Sequence, residues 1–283
     1  MAELDYLATI PGIPFPQIYE TMMDWKTPII AAIAYEAGVQ VLSRIFGSSA
    51  TSLSRVEAKK RGDQTARKSN PLMTAFCLAH NMALCIYSAI TFYNMVKGLH
   101  KARTRDAPLF DRVCDLDEFF WRDTLAYWGY LFYLSKYYEM VDTIIIVLKG
   151  RQPSFLQLFH HAGALITMWA GIRYRCTAIW MFCTFNSFIH TVMYFYYAAT
   201  TVGLHPPGKQ YLTSMQIIQF VVGVSLALAY LFYPGCSNSP GQRFTLKINI
   251  IYVTSLVGLF ANFMRKTYGR SRKDSKKEQL KKE

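Results

Sequence analysis

The chain has 283 residues, 52% of them hydrophobic and 15% aromatic, with a formal net charge of +13. Apolar runs near or above the roughly 20 residues that span a bilayer recur along it, which excludes a soluble globular domain and marks a polytopic membrane protein. The lysines and arginines sit in the loops and tail between those runs, as membrane topology requires, so the charge gives no support to nucleic-acid binding.

In chain order, the opening stretch Met1–Glu20 lacks a basic segment followed by an apolar core, and no cleavable signal peptide is expected. Seven helical spans are predicted at 27–46, 71–96, 121–147, 153–171, 178–200, 210–233 and 244–264, so the fold class is all-α. Span one carries Glu36 within it. Between spans, 48–70 is a hydrophilic linker rich in Ser, Lys and Arg, and 98–119 mixes both charges. No internal repeat or separate soluble domain is visible. Residues 1–265 read as one integral-membrane domain, and 266–283 as a basic tail expected to be disordered. An odd number of spans puts the termini on opposite sides. With the C-terminus in the cytosol, that side collects 19 Lys and Arg against 10 opposite, Lys136 and Lys247 lying within spans. The bias predicts a cytosolic C-terminus. Cys77, Cys85 and Cys183 fall within spans as small apolar residues, whereas Cys114, Cys176 and Cys236 fall in or beside loops of the non-cytosolic side. Cys176 sits tight against a span, so Cys114 and Cys236 are the expected disulfide.

Ionisable side chains inside a span are costly and serve as starting points for function. Span four, which begins near Ser154, holds His160 and His161 about 10 Å below its cytosolic end, at 1.5 Å per residue. On the same count Asp142, Glu139 and Lys136 of span three lie roughly 10, 15 and 20 Å deep. His190 and Asn186 of span five lie roughly 16 and 22 Å deep, and Gln216 and Gln219 of span six roughly 9 and 14 Å. Four helices therefore bring polar groups to one layer. Lys136, Glu139 and Asp142 recur every third residue; Gln157, His160 and His161 stand at i, i+3 and i+4; Gln216 and Gln219 at i, i+3. Each set can face inward together. For the Lys136, Glu139 and Asp142 set a structural ion-pair network and a direct catalytic role both stay open. Tyr194, Tyr196, Tyr197, Phe159 and Phe188 read as packing and hydroxyl contacts. An integral-membrane di-iron site would need about eight histidines in several boxes; this chain has 6, and His80, His100 and His205 lie outside the cluster or in loops. Gln157 stands where a ligand would be wanted, and a neutral amide is a poor one. Histidine acting as nucleophile or general base in a dry pocket remains.

These residues resemble the very-long-chain fatty acid elongases, the membrane condensing enzymes of acyl-CoA elongation, from about residue 71 to 265. Lys136-Tyr-Tyr-Glu139-Met-Val-Asp142-Thr143 resembles the family's K-x-x-E-x-x-D-T, and Gln157-Leu-Phe-His160-His161 its H-x-x-H-H box with the first His replaced. Asn186-Ser-Phe-Ile-His190-Thr-Val-Met193-Tyr194-Phe-Tyr196-Tyr197 resembles N-x-x-x-H-x-x-M-Y-x-Y-Y, and Thr213-Ser-Met-Gln216-Ile-Ile-Gln219 resembles T-x-x-Q-x-x-Q. The replacement at Gln157 is similar to the Q-x-F-H-H variant of algal and protist elongases of polyunsaturated substrates.

The resemblance implies seven transmembrane helices, with spans two to seven closing as a helical barrel around an acyl tunnel. It implies condensation of an acyl-CoA, here expected to be polyunsaturated and about C18, with malonyl-CoA, and no cofactor, the CoA thioesters being substrates. His160 is assigned as the residue that carries the acyl group. His161 and His190 would orient the nucleophile, move protons and stabilise the thioester oxyanion. Gln157 would fix an imidazole tautomer, and Asp142 and Glu139 would hold the histidines or substrate with Lys136 as counter-charge. Asn186, Tyr194, Tyr197, Gln216 and Gln219 are assigned to substrate binding. Lys149, Arg151 and Lys209 would meet the CoA phosphates, although membrane topology alone accounts for their charge. Residence in the endoplasmic reticulum also follows from the resemblance, while Lys281 and Lys282 lie one residue out of the usual dilysine register. Contact with membrane lipid, association with other enzymes of an elongation cycle and a homodimer are all compatible with it. Two other readings are carried forward: a seven-helix transporter or receptor, which should show broken helices or an internal repeat near mid-membrane, and a membrane di-iron lipid enzyme, which metal content would reveal.

Overall fold

The computed structural model describes residues 12–47 and 70–279, and these are helical with no strand among them. Helix α1 (Pro16–Met23) and helix α2 (Lys26–Gly47) precede the long α3 (Pro71–Thr104), which Pro71 opens at its first turn and the Asn70 side chain caps by accepting from Leu72 N (3.0 Å). A short α4 (Leu109–Cys114) leads to a π-helical turn, Trp121–Leu125, and then to α5 (Ala126–Glu139) and α6 (Val141–Leu148). Ser154 caps α7 (Phe155–Arg173) through Gln157 N, and a 3₁₀ turn, Thr177–Ile179, leads into α8 (Trp180–Thr201). Helices α9 (Lys209–Phe232) and α10 (Pro240–Gln279) complete the chain. At the start of α10, Ser239 Oγ accepts from Gln242 N while Gln242 Oε1 accepts from Ser239 N, a reciprocal capping box.

Helical segments occupy all seven predicted stretches, with three differences. Four helices are long and apolar enough to cross a membrane by length and composition: Lys26–Phe46, Pro71–Thr104, Lys209–Phe232 and Pro240–Tyr268. Predicted span three is divided at Met140, and α7 and α8, which match spans four and five, give up hydropathy to the buried polar residues discussed below. The third difference is at the C-terminus, where α10 runs on to Gln279, past the predicted end of span seven at 264. Arg, Lys, Glu and Gln are good helix formers, and no proline interrupts them there. Most of the 48–70 linker, and Lys281 and Lys282, lie outside the described residues.

Helix α3 packs along α8, α8 against α9, α9 against α10, α10 against α7, and α7 against α5; α5 also touches α3. Helix α2 lies outside this set, on α6 and α7. The main core is aromatic, with Tyr130, Tyr133 and Trp121 among its largest fully buried side chains. On the outside, apolar side chains such as Leu72, Ile86 and Tyr93 of α3 and Ile251 of α10 stand exposed. A surface of that kind suits hydrocarbon rather than water.

The loops at the end of the molecule opposite Lys149 are tied together. Cys114 and Cys236 form a disulfide across 122 residues of chain. Asp115 accepts from Phe120 N (2.7 Å) and Trp121 N (2.9 Å) and from the Thr177 hydroxyl (3.3 Å), which joins the 115–121 loop to the start of α8. Burial pushes the Asp115 carboxyl above its usual range despite these donors. Arg105 forms a bidentate pair with Asp117 and holds that carboxyl below the usual range. Tyr230 OH donates to Val113 O (2.7 Å) and accepts from Trp180 Nε1 (3.1 Å).

A cross-link closing so long a loop stabilises by about 2–4 kcal/mol. The Cys114→Ser/Cys236→Ser variant should therefore melt several degrees below the parent in detergent. Added reductant should lower the melting temperature of the parent and leave that of the variant unchanged.

Candidate active site

Two partner sets form on either side of Met140. Ahead of it, Lys136 and Glu139 lie one turn apart on α5, at 4% and 2% exposure. Lys136 Nζ donates to Glu139 Oε1 (2.7 Å) and to Asn186 Oδ1 of α8 (3.0 Å), and lies 3.8 Å from the centre of the Phe132 ring. Glu139 Oε1 also accepts from Ser135 Oγ (3.1 Å). The other oxygen, Oε2, has no hydrogen-bond partner and lies 3.7 Å from His190 Nδ1. Desolvation can cancel the Coulomb gain of a buried pair, so these extra donors and the ring face are what make the arrangement tolerable.

Past Met140, Asp142 turns to other partners. His80 Nε2 lies 2.8 Å from Asp142 Oδ1, Tyr194 OH donates to Oδ2 (2.7 Å), and His80 Nδ1 is 3.2 Å from Tyr138 OH. Two expectations are corrected here: Lys136 is not the counter-charge of Asp142, and His80 belongs to the site. A three-residue spacing slips about 60° around a helix at each step, so two steps carry residue 142 about 120° away from residue 136. Lys136 meets α8 while Asp142 reaches both α3 and the far part of α8. Depth could have found His80: counted from Pro71 it lies about 14 Å along α3, level with the other polar groups.

On α7, the Gln157 amide nitrogen donates to Thr143 Oγ1 (3.3 Å) and to His161 Nε2 (2.9 Å). An amide NH₂ cannot accept, so His161 Nε2 is the accepting nitrogen and the ring proton sits on Nδ1. Tyr35 OH of α2 lies 2.7 Å from the same Thr143 hydroxyl, which brings a helix from outside the main set into the site. The His160 and His161 rings are 5.3 Å apart. His160 Nδ1 lies 3.2 Å from Tyr252 OH of α10, and the Tyr252 hydroxyl donates to the His160 carbonyl oxygen at 2.7 Å. Neither Tyr35 nor Tyr252 stands out in the sequence, because a tyrosine within an apolar run reads as packing. Gln216 Nε2 contacts Met193 Sδ at 3.6 Å, and Gln219 Oε1 is buried without a partner.

The expected site residues converge on two adjoining cavities. His160, His161, His190, Asp142 and Gln157 line the larger, of about 600 Å³. Asn186, Tyr194, Tyr197, Gln216, Gln219 and His205 line it as well, and the exposed Lys149, Arg151 and Lys209 form its charged part. The smaller, of about 50 Å³, is a slot between Phe132, Ala164, Met168, Met181 and Phe182, with Lys136, Thr167 and Asn249 among its walls. His160, Asn186, Gln219 and Phe220 line both, so the wide polar chamber meets the narrow apolar slot at His160. Glu139 reaches the site through Lys136 and His190 rather than by lining either space. Among the described residues, no group of three or more His, Cys, Asp or Glu side chains is arranged to hold a metal ion. An imidazole at the junction of a polar chamber and an apolar slot can act covalently on a substrate with one polar and one apolar end.

Comparison with known proteins bears on such a substrate. Residues 20–278 match the family described as ELO, the GNS1/SUR4 family. "Fatty acid elongase A" of Dictyostelium discoideum is 36% identical over 208 residues, covering 71% of this chain and 75% of that protein. "Fatty acid elongase sre1" of the same organism is 35% identical over 169 residues, 58% and 61% of the two chains. "Fatty acid elongase 2" of Trypanosoma cruzi is 30% identical over 231 residues, 76% and 81% of the two chains.

The buried pair on α5 can be tested for a structural role apart from chemistry. Lys136→Met strands Glu139 without its cation and should cost about 3–5 kcal/mol of stability, read as a large fall in melting temperature. Lys136→Met/Glu139→Leu should regain most of that loss, and its activity then tells whether the charges serve anything beyond the fold.

Proposed function

The chain belongs to the ELO (GNS1/SUR4) family, and from that premise we propose that it condenses an acyl-CoA with malonyl-CoA to give a 3-oxoacyl-CoA two carbons longer, releasing CO₂ and CoA. The observation that carries this reading is the meeting of the two cavities at His160. The slot has the apolar lining an acyl chain needs, although at about 50 Å³ it must widen to admit more than the first few carbons, and the chamber with Lys149, Arg151 and Lys209 suits the phosphates of CoA, which basic side chains bind by charge-assisted hydrogen bonds. The thioester carbon then falls beside the imidazole.

The reaction runs in two halves. An imidazole nitrogen of His160 attacks the thioester carbonyl, a C–N bond forms, the C–S bond breaks, and the electron pair leaves on the CoA sulfur. CoA departs and malonyl-CoA takes its place in the chamber. Loss of CO₂ leaves a carbon nucleophile on the second thioester, which attacks the acyl-imidazole carbonyl and releases His160. Covalent storage suits the site because the two CoA esters need the same polar chamber and cannot share it. His190, held beside Glu139, and His161, whose Nδ1 keeps the proton because Nε2 accepts from Gln157, donate hydrogen bonds to the oxyanion and to the oxygens of the incoming malonyl group. Asn186 and Gln219, at the junction, orient the carbonyl. Asp142, bound to His80 and Tyr194, ties α6, α3 and α8 together around the chamber.

The same reading takes seven transmembrane helices, with α3, α5–α6, α7, α8, α9 and α10 closed as a barrel around the slot; their chain of neighbouring contacts supports it. It places the protein in the endoplasmic reticulum membrane with a cytosolic C-terminus, which the excess of Lys and Arg on that side supports. Polyunsaturated C18 acyl groups are the proposed substrates.

Purified protein given a polyunsaturated C18 acyl-CoA and radiolabelled malonyl-CoA should form a labelled 3-oxoacyl product, and no product from any C16–C20 substrate would end the reading. In the same assay His160→Ala should neither turn over nor retain labelled acyl group from acyl-CoA. Lys149→Glu/Arg151→Glu should raise KM for both CoA esters about tenfold or more, the loss of one to two charge-assisted contacts, with kcat little changed.

A further inference from the structure

We infer that Tyr252 is a positioning residue that keeps the His160 ring proton on Nδ1 and so leaves Nε2 as the nitrogen that takes the acyl group; the inference rests on the elongase reading above. The Tyr252 hydroxyl has a single proton, and its 2.7 Å contact to the His160 carbonyl oxygen uses it, because a carbonyl can only accept. The same hydroxyl oxygen lies 3.2 Å from His160 Nδ1. With its proton committed, that oxygen can only accept there, so Nδ1 must carry the hydrogen. In a neutral imidazole one nitrogen is a donor and the other has the lone pair. The lone pair is then on Nε2.

A second observation shows that the tyrosine ring is held in place. A Cβ built on Gly163 would lie 2.2 Å from Tyr252 Cε2, so the ring rests directly on bare backbone of α7. The Phe159 ring, four residues earlier on α7, is 5.6 Å from the Tyr252 ring. Residues 159 and 163 share a helix face, and together they seat the ring so that its hydroxyl reaches residue 160. Only glycine at 163 permits this approach.

The tautomer fits the reaction without moving a proton at Nδ1. Attack through Nε2 gives an acyl-imidazolium that still carries the Nδ1 hydrogen, and CoA leaves as the thiolate. The positive charge strengthens the hydrogen bond to the Tyr252 oxygen. When the carbon nucleophile from malonyl-CoA attacks the acyl carbon, the C–N pair returns to Nε2 and the ring is neutral again, with Nδ1 still protonated.

Three variants test this, with the unsubstituted protein run alongside. Tyr252→Phe removes one hydroxyl and should lower kcat, and the single-turnover rate of acyl transfer to the protein, about 10- to 100-fold with KM for acyl-CoA unchanged, as for other partners that fix a reactive histidine. Gly163→Ala keeps the hydroxyl but displaces the ring, and should show the same kcat loss; it gives the readout if Tyr252→Phe does not fold. The deciding arm places Nδ-methylhistidine at 160 in the Tyr252→Phe background, where the methyl group fixes the lone pair on Nε2 and should restore kcat towards the parent value. An unchanged kcat in folded Tyr252→Phe, or a loss that Nδ-methylation does not restore, overturns the assignment. Absence of product from the unsubstituted protein would instead bring down the elongase reading, so the two failures are distinguishable.

Discussion

Most of the polar side chains that line the site are paired across helices, and that pairing organises the molecule. In hydrocarbon no water can satisfy a stray donor or acceptor, so an unmatched group costs several kcal/mol. Lys136 answers Glu139 and Asn186; His80 and Tyr194 answer Asp142; Gln157 and Thr143 link to His161 and Tyr35; Tyr252 answers His160. Each of these contacts except the Lys136–Glu139 and Gln157–His161 pairs joins two different helices. The polar layer therefore fixes which helices are neighbours as well as furnishing the chamber.

Division of that layer at Met140 gives its two halves different tasks. The Lys136 half reaches α8 near the slot and leaves Glu139 Oε2 free of hydrogen bonds beside His190. An unfilled acceptor next to an imidazole is where a developing positive charge would be met. The Asp142 half is saturated on both oxygens and acts as a fastener between α6, α3 and α8. Reading the three residues as one network, or as one catalytic set, misses this difference in saturation.

Much of this was legible in the sequence, and the omissions have physical causes. The helical stretches follow from the lengths of the apolar runs, and the shared depth of the polar residues anticipated their common cavity. His160, His161 and Gln157 were recognisable because i, i+3 and i+4 spacing defines one face without reference to any neighbour. Tyr252 was not, since it gains meaning only from the residue opposite, and His80 could be reached only through its depth along α3. The Lys136–Asp142 pairing failed because a spacing of three is not a whole turn, and the drift it leaves is enough to change the facing helix. Helices α7 and α8 fall short of a spanning hydropathy for a related reason: hydropathy counts composition, and these helices spend theirs on the interior.

The disulfide and the Asp115 and Tyr230 contacts fasten the loop end of the molecule, towards which the slot runs from His160 past Met168 and Met181. With both the imidazole and the loops fixed, the depth of the slot is set by the volume of a few side chains rather than by any sliding of helices. On the proposed reading, the frame is a ruler whose zero mark is the histidine and whose last mark one methionine can redraw.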